Sequence, residues 1–224
     1  MTLLERAEVT EAIGDDTYRR LRSDIVFGRL RPGQKLRLDG LRENYGVSVS
    51  TLRETLNRLA AEGLVFAEGR RGFEVAPVSA ENLRELAELR VLLESHAMQT
   101  SFENADVEWE GRVVSAHHKL ASTERLMEEG IGELEQWKRY DGEFHQALIS
   151  NCGSRVLLET YATVFDKYFR YQMVSFQYRG GEPAVQHKAL LESALRRDAE
   201  SAEAILRTHV KNCVEHALAN PSWR

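Results

Sequence analysis

Asp141, His145, His187 and His209 are the side chains of this 224-residue chain with the most chemistry to offer. Asp141 and His145 are four residues apart, so on a helix they project from one face. His187 and His209 fall on two later helical segments, one on each. An Asp and three imidazoles carried by three helices can converge inside a bundle, which is how bundles build metal sites. Neutral imidazole suits zinc, nickel and related divalent ions, and the carboxylate adds charge neutralisation. Four protein ligands leave positions open for water or a small ligand if the ion takes five or six. Spacing alone also allows a plainer reading. The chain has seven histidines, and surface or hydrogen-bonded core histidines are the default. His117 and His118 are adjacent and point different ways, and His96 and His216 have no clear partner. Cys213 lies one turn after His209, either as a core thiol or as a neighbour in the same pocket.

A second constellation lies near the front. Ser48, Ser50, Thr51 and Arg53 cluster at the start of a helix whose other face carries Leu52, Leu56 and Leu59. Hydroxyls and a guanidinium there suit phosphates and base edges, because the major groove admits one helix. The helix N-terminus adds backbone N–H groups for a phosphate. Arg70 and Arg71 sit at the tip of a hairpin, placed to enter a minor groove or grip a phosphate. A small helical unit for protein contacts is the alternative for this segment.

Charge distribution agrees with DNA binding. The net charge is −5, yet Arg19 to Arg71 holds twelve basic residues against six acidic. From Ser79 onward the balance reverses, with 17 basic against 23 acidic. The positive charge sits where phosphates would need neutralising. A solvated charged face on each helix would give a similar count. No apolar run is long enough to cross a bilayer, and the N-terminus lacks a signal-peptide core, so a cytoplasmic protein is expected. Two isolated cysteines form neither a disulfide framework nor a CxxC pair.

The elements that must position these residues read as follows. Residues 1–10 are expected as a loose tail. Helical spacing of Ile13, Tyr18, Leu21 and Ile25 predicts a helix from Glu11 to about Phe27, ended by Gly28. A short helix from Leu38 to Tyr45 is broken by Gly46. Ser48 or Ser50 caps the third helix, which Gly63 closes. Leu64–Ala67 and Phe73–Val75 read as two strands of a hairpin. Ala76-Pro77-Val78-Ser79 reads as a linker. Six helices follow, at about 79–104, 106–128, 133–151, 154–175, 182–197 and 199–219. The expected fold is mainly α: three helices with a β-hairpin wing over residues 1–78, then an all-α six-helix bundle over 79–224.

Several motifs in order carry a resemblance: Leu30-Arg-Pro-Gly-Gln-Lys-Leu36, Gly46-Val-Ser48, Leu52-Arg-Glu-Thr-Leu56, Leu59-Ala-Ala-Glu-Gly-Leu-Val65 and Gly69-Arg-Arg-Gly72. Residues 11–78 resemble the winged helix-turn-helix of the GntR family. Val49 and Thr51 depart from the family, which usually has Arg and often Pro there. Residues 79–219 resemble the FCD effector domain of the FadR-type regulators, through Leu89–Glu94, Asp141-Gly-Glu-Phe-His145, His187 and Ala204–His209. Six helices point to the VanR-like group.

The resemblance implies a homodimeric regulator of double-stranded operator DNA, commonly a repressor, and not an enzyme. It also implies a divalent metal, zinc or nickel, held by Asp141, His145, His187 and His209, and a small carboxylate effector. Arg90 matches a position that reaches the effector pocket. Its alternative is an intrahelical pair with Glu94. The family usually has Glu where this chain has Gln186. Two other readings remain beside it: a metal-free sensor of a larger effector such as an acyl-CoA, and a metalloenzyme using the Asp/His set.

Overall fold

A computed structural model describes residues 3–67, 72–174 and 180–219, with side chains from residue 12 onward. Among them the chain forms nine helices and a three-stranded sheet. The first helix, α1, runs Leu3–Val26, so residues 3–10 are its opening turns and not a loose tail. Leu3-Leu-Glu-Arg-Ala-Glu8 is a run of good helix formers with no Gly or Pro to stop it. β1 (Lys35–Leu36), α2 (Leu38–Tyr45), α3 (Val49–Ala61), β2 (Val65–Ala67) and β3 (Phe73–Val75) follow. β3 pairs antiparallel with both β1 and β2, Leu36 opposite Phe73 and Val65 opposite Val75. The hairpin is thus widened by β1, a strand too short to show any alternation in sequence.

The core of this unit is built from Leu21 and Ile25 of α1, Leu41 of α2, and Leu52, Leu56 and Leu59 of α3, with Val65 and Val75 of the sheet. Gly46 ends α2 in the left-handed region (φ 69°), where a side chain would be strained. Two residues later Ser48 caps α3 by accepting a hydrogen bond from the Thr51 N–H at 3.1 Å. Arg22 Nε donates to Glu62 Oε2 at 3.2 Å, and Arg58 Nη1 to Asp15 Oδ1 at 2.8 Å. These pairs tie α1 to the C-terminal end of α3 and brace that helix.

Beyond Ser79 the helices are α4 (Ala80–Glu103), α5 (Val107–Glu128), α6 (Leu134–Ile149), α7 (Arg155–Val174), α8 (Glu182–Leu195) and α9 (Ala199–Ala219). Each lies within a few residues of its expected span. Asp106 caps α5 by accepting from Trp109 N at 2.7 Å, and Pro183 sits in the first turn of α8, where its missing N–H costs nothing. α4 packs on α6 and α9, α5 on α6 and α8, and α8 on α9. The chain divides into two compact units. One holds the chain through Ser79 with Phe169–Val174 of α7, and the other holds Ala80–Tyr168 with α8 and α9. No helix among the described residues is long and apolar enough to cross a membrane.

Candidate metal centre and DNA-reading helix

Asp141 and His145 of α6, His187 of α8 and His209 of α9 come together in the interior of the second unit. All four are buried, and one ligand atom from each lies within 4.8 Å of the others. The His187 and His209 ring centroids are 4.8 Å apart, and His145 stands 5.6 and 5.4 Å from them. Donors on a tetrahedral zinc ion stand about 3.3–3.4 Å apart, and about 4.2 Å only when trans to each other on a larger coordination sphere, so the widest pair has to close by roughly 0.6–1.5 Å.

Each imidazole is oriented through Nδ1. His145 Nδ1 lies 2.5 Å from Glu94 Oε1, and His187 Nδ1 lies 2.6 Å from Glu124 Oε1. His209 Nδ1 lies 2.9 Å from Gln186 Oε1. An acceptor at each Nδ1 assigns the ring proton to that nitrogen and leaves the Nε2 lone pair for an ion. Nε2 of His145 and of His187 and Oδ1 of Asp141 are buried without a hydrogen-bond partner. His187 Nε2 and Asp141 Oδ1 stand 3.1 Å apart, so a proton shared between them would serve both where a cation does not. Buried polar atoms are rarely left without a partner. Three in one cluster are what a divalent cation would satisfy, so the residues fit a metal.

The electrostatics agree. Burial, with the neighbouring imidazoles, depresses His209 well below the ordinary histidine range, and burial also lowers His145. Both are held in the neutral, metal-binding form. Burial works against a charged His187, but the Asp141 and Glu124 carboxylates raise it. Burial likewise opposes ionisation of Asp141, but Lys138 (Nζ 3.6 Å from Oδ2) and His187 keep it well below the usual carboxylate range.

Arg90 lies one layer out. Its Nε donates to Glu94 Oε2 at 2.9 Å, and the guanidinium sits 4.8 and 4.9 Å from the Phe165 and Tyr168 rings. The intrahelical pair with Glu94 is therefore present. Arg90 Nη2 is nevertheless buried with no hydrogen-bond partner, a second site of unmet polarity. Glu94 also accepts from Tyr161 Oη at 3.0 Å. Phe165 rests on Gly142, where an added Cβ would stand 3.2 Å from its ring, and its own ring lies 6.3 Å from that of His145.

The four ligand candidates are assembled as sequence spacing allowed, but their support was largely hidden. Glu94 entered only as a partner for Arg90. Glu124, Lys138 and Tyr161 were missed. Lys138 has a faint signature, one turn before Asp141; Glu124 has none, being one acid among many on a charged helix.

In the first unit Ser48, Ser50, Thr51 and Arg53 occupy the start of α3. Ser48, Ser50 and Arg53 are exposed, and Thr51 is half-buried. Ser48 Oγ lies 2.7 Å from Ser50 Oγ and 2.9 Å from Thr51 Oγ1, a hydroxyl cluster built around the cap. Arg70 and Arg71 lie outside the described residues.

Comparison with known proteins fits both halves. Residues 13–75 match the model of the gntR family of bacterial regulatory proteins, and residues 85–212 match the FCD domain. The chain is 39% identical over 201 residues to the HTH-type transcriptional regulator BphR of Paraburkholderia xenovorans, covering 88% of this chain and 82% of that one. It is 30% identical over 201 residues to the HTH-type transcriptional repressor GlaR of Escherichia coli, covering 87% and 91%. Among solved structures, E. coli McbR/YncC shares the fold at a TM-score of 0.81 and 19% identity, covering 92% of this chain and 97% of that one. A GntR regulator from Rhodococcus follows at 0.75 and 24%, with 92% and 97% covered. The chain belongs to the GntR family of bacterial regulatory proteins, as a DNA-binding transcriptional regulator with an FCD domain, and is not an enzyme.

Proposed function

We propose that this regulator is a homodimeric repressor whose FCD domain holds a divalent ion, zinc or nickel, on Asp141, His145, His187 and His209, and that a small carboxylate effector bound there releases it from operator DNA. The observation that carries the reading is the set of three partnerless buried ligand atoms, with every imidazole fixed through Nδ1 by Glu94, Glu124 or Gln186. The ion would supply positive charge and open coordination positions suited to a carboxylate oxygen. Arg90, with Nε committed to Glu94 and Nη2 unspent, is the second carboxylate handle. Glu94, Glu124 and Gln186 orient the rings.

Residues 1–78 act as the reading head and 79–224 as the sensing and dimerising body. α3 enters the major groove, with Ser48, Ser50 and Thr51 on phosphates or base edges and Arg53 on a guanine or phosphate. Arg70 and Arg71 of the wing reach the backbone or minor groove. A two-fold dimer presents two such heads to the halves of a pseudo-palindromic site in the cytoplasm. The effector shifts the protein off DNA only by its difference in affinity for the two arrangements of the heads.

The test uses full-length protein purified without a histidine tag. One divalent ion per chain is expected, with a rise in Tm from small mono- or dicarboxylates only in the loaded form, and the same acids should release promoter DNA. Absence of bound metal together with absence of any metal-dependent thermal shift would overturn the metal reading. On the DNA side, Arg53→Ala is expected to weaken operator binding by about 1–3 kcal/mol if the contact is to a base. Anisotropy titrations against salt check this. A loss shared by random duplex, with a shallower salt slope, assigns Arg53 to a phosphate, and unchanged affinity removes it from the interface.

A further inference from the structure

Among the four ligand atoms, Nε2 of His209 is the one whose hydrogen-bonding neighbour is a thiol: Cys213 Sγ, 3.9 Å away, buried one turn further along α9. In the metal-free arrangement the thiol donates to that lone pair. Two donors on one zinc ion, with Zn–N at about 2.0–2.1 Å and Zn–S at about 2.3 Å, stand about 3.5–3.8 Å apart at tetrahedral to trigonal angles. The observed separation is close to that span. The sulfur stands outside the four atoms that lie within 4.8 Å of one another and touches that set at His209 alone, so it must close on the ion from the His209 side as the site fills.

Charge balance favours its recruitment. The buried carboxylates of Asp141, Glu94 and Glu124 face two buried cations, Arg90 and Lys138, leaving one net negative charge. A dication in this interior would leave one positive charge uncompensated, at a cost that grows with burial. The corner at His209 is where compensation is weakest. His145 and His187 are backed by carboxylates, but His209 is backed by the neutral amide of Gln186. Gln186 Nε2 passes its hydrogen bond on to Glu182, which is exposed and one residue further out.

We infer that Cys213 is a fifth protein donor of this centre, binding the ion as a thiolate at the His209 corner in the absence of effector. This rests on the metal site proposed above. On binding, the S–H bond breaks, sulfur takes the ion with its lone pair, and the proton leaves to solvent. The thiolate supplies the missing negative charge and biases the site towards thiophilic ions such as zinc over harder ones.

Cobalt(II) is the probe, added alone to the tag-free, metal-stripped full-length protein. Visible ligand-field bands at one equivalent report a loaded site. An intense near-ultraviolet thiolate-to-cobalt band reports sulfur. Both are expected in the wild type and in Cys152→Ala. Cys213→Ser and Cys213→Ala are expected to keep the visible bands and lose the near-ultraviolet one. Visible bands without the near-ultraviolet band in the wild type overturn the Cys213 assignment and leave the Asp/His site standing. So does a band that survives in Cys213→Ala. Failure of cobalt to bind at all overturns both.

Discussion

His187→Ala is expected to abolish stoichiometric metal binding and, in metal-free protein, to cost about 3–5 kcal/mol of stability, the usual scale for breaking a buried charged network. His187 is fully buried between two carboxylates, with Nδ1 on Glu124 and Nε2 beside Asp141. Truncation removes one of the cluster's ligands. It also leaves a cavity between Glu124 and Asp141, so a lost hydrogen bond is compounded by the removal of the imidazole that links two buried carboxylates. His187→Gln retains a donor and is expected to recover part of the stability without the metal. Urea unfolding in chelator, with metal analysis of each variant, reads both effects. A His187→Ala protein within about 1 kcal/mol of wild type would mean that the imidazole does not hold the carboxylates in place.

The second large effect is at Arg90. Arg90→Leu is expected to destabilise the protein by about 3–5 kcal/mol, because it strands the Glu94 carboxylate in the interior. Burial alone would raise the Glu94 carboxyl; His145 and Arg90 overcome that and hold it at about 2. Adding Glu94→Gln to Arg90→Leu is expected to restore much of the loss, since the carboxylate that needed the guanidinium is gone and the amide can still face His145 and Tyr161. The double variant then separates two roles. If Arg90 only neutralises Glu94, the folded, metal-loaded double variant keeps its carboxylate-induced rise in Tm. If Nη2 grips the effector, the rise is lost while metal content is unchanged. The expected result is loss. Calorimetric or dye-based melts with and without a dicarboxylate decide between them.

Much of the architecture was legible because this chain is punctuated plainly. Gly46, Gly63, Pro77, Gly130, Gly153 and the Gly180–Pro183 stretch mark nearly every break, and the six later helices fall within a few residues of where those breaks put them. Residues 3–10 misled because a stretch with weak periodicity looks like a tail, although Leu3–Glu8 has high helix propensity. β1 escaped because two residues carry no period. At the metal centre, the i,i+4 spacing of Asp141 and His145 is a local signal, and helix order did the rest. The backing acceptors come from other helices. Glu94 reaches His145 across 51 positions of sequence and Glu124 reaches His187 across 63, separations that only tertiary packing specifies.

Gly142 sets how closely α6 approaches Phe165. A glycine in mid-helix forfeits about 1 kcal/mol relative to alanine, and α6 carries one between Asp141 and His145. A methyl group there would press on Phe165, the ring that roofs His145. An alanine would favour the helical backbone of α6 and yet press it away from Phe165 of α7, the ring beside His145. Local helix strength is thus given up so that α6 meets Phe165 with no methyl group between them, one turn from the histidine that the same ring borders.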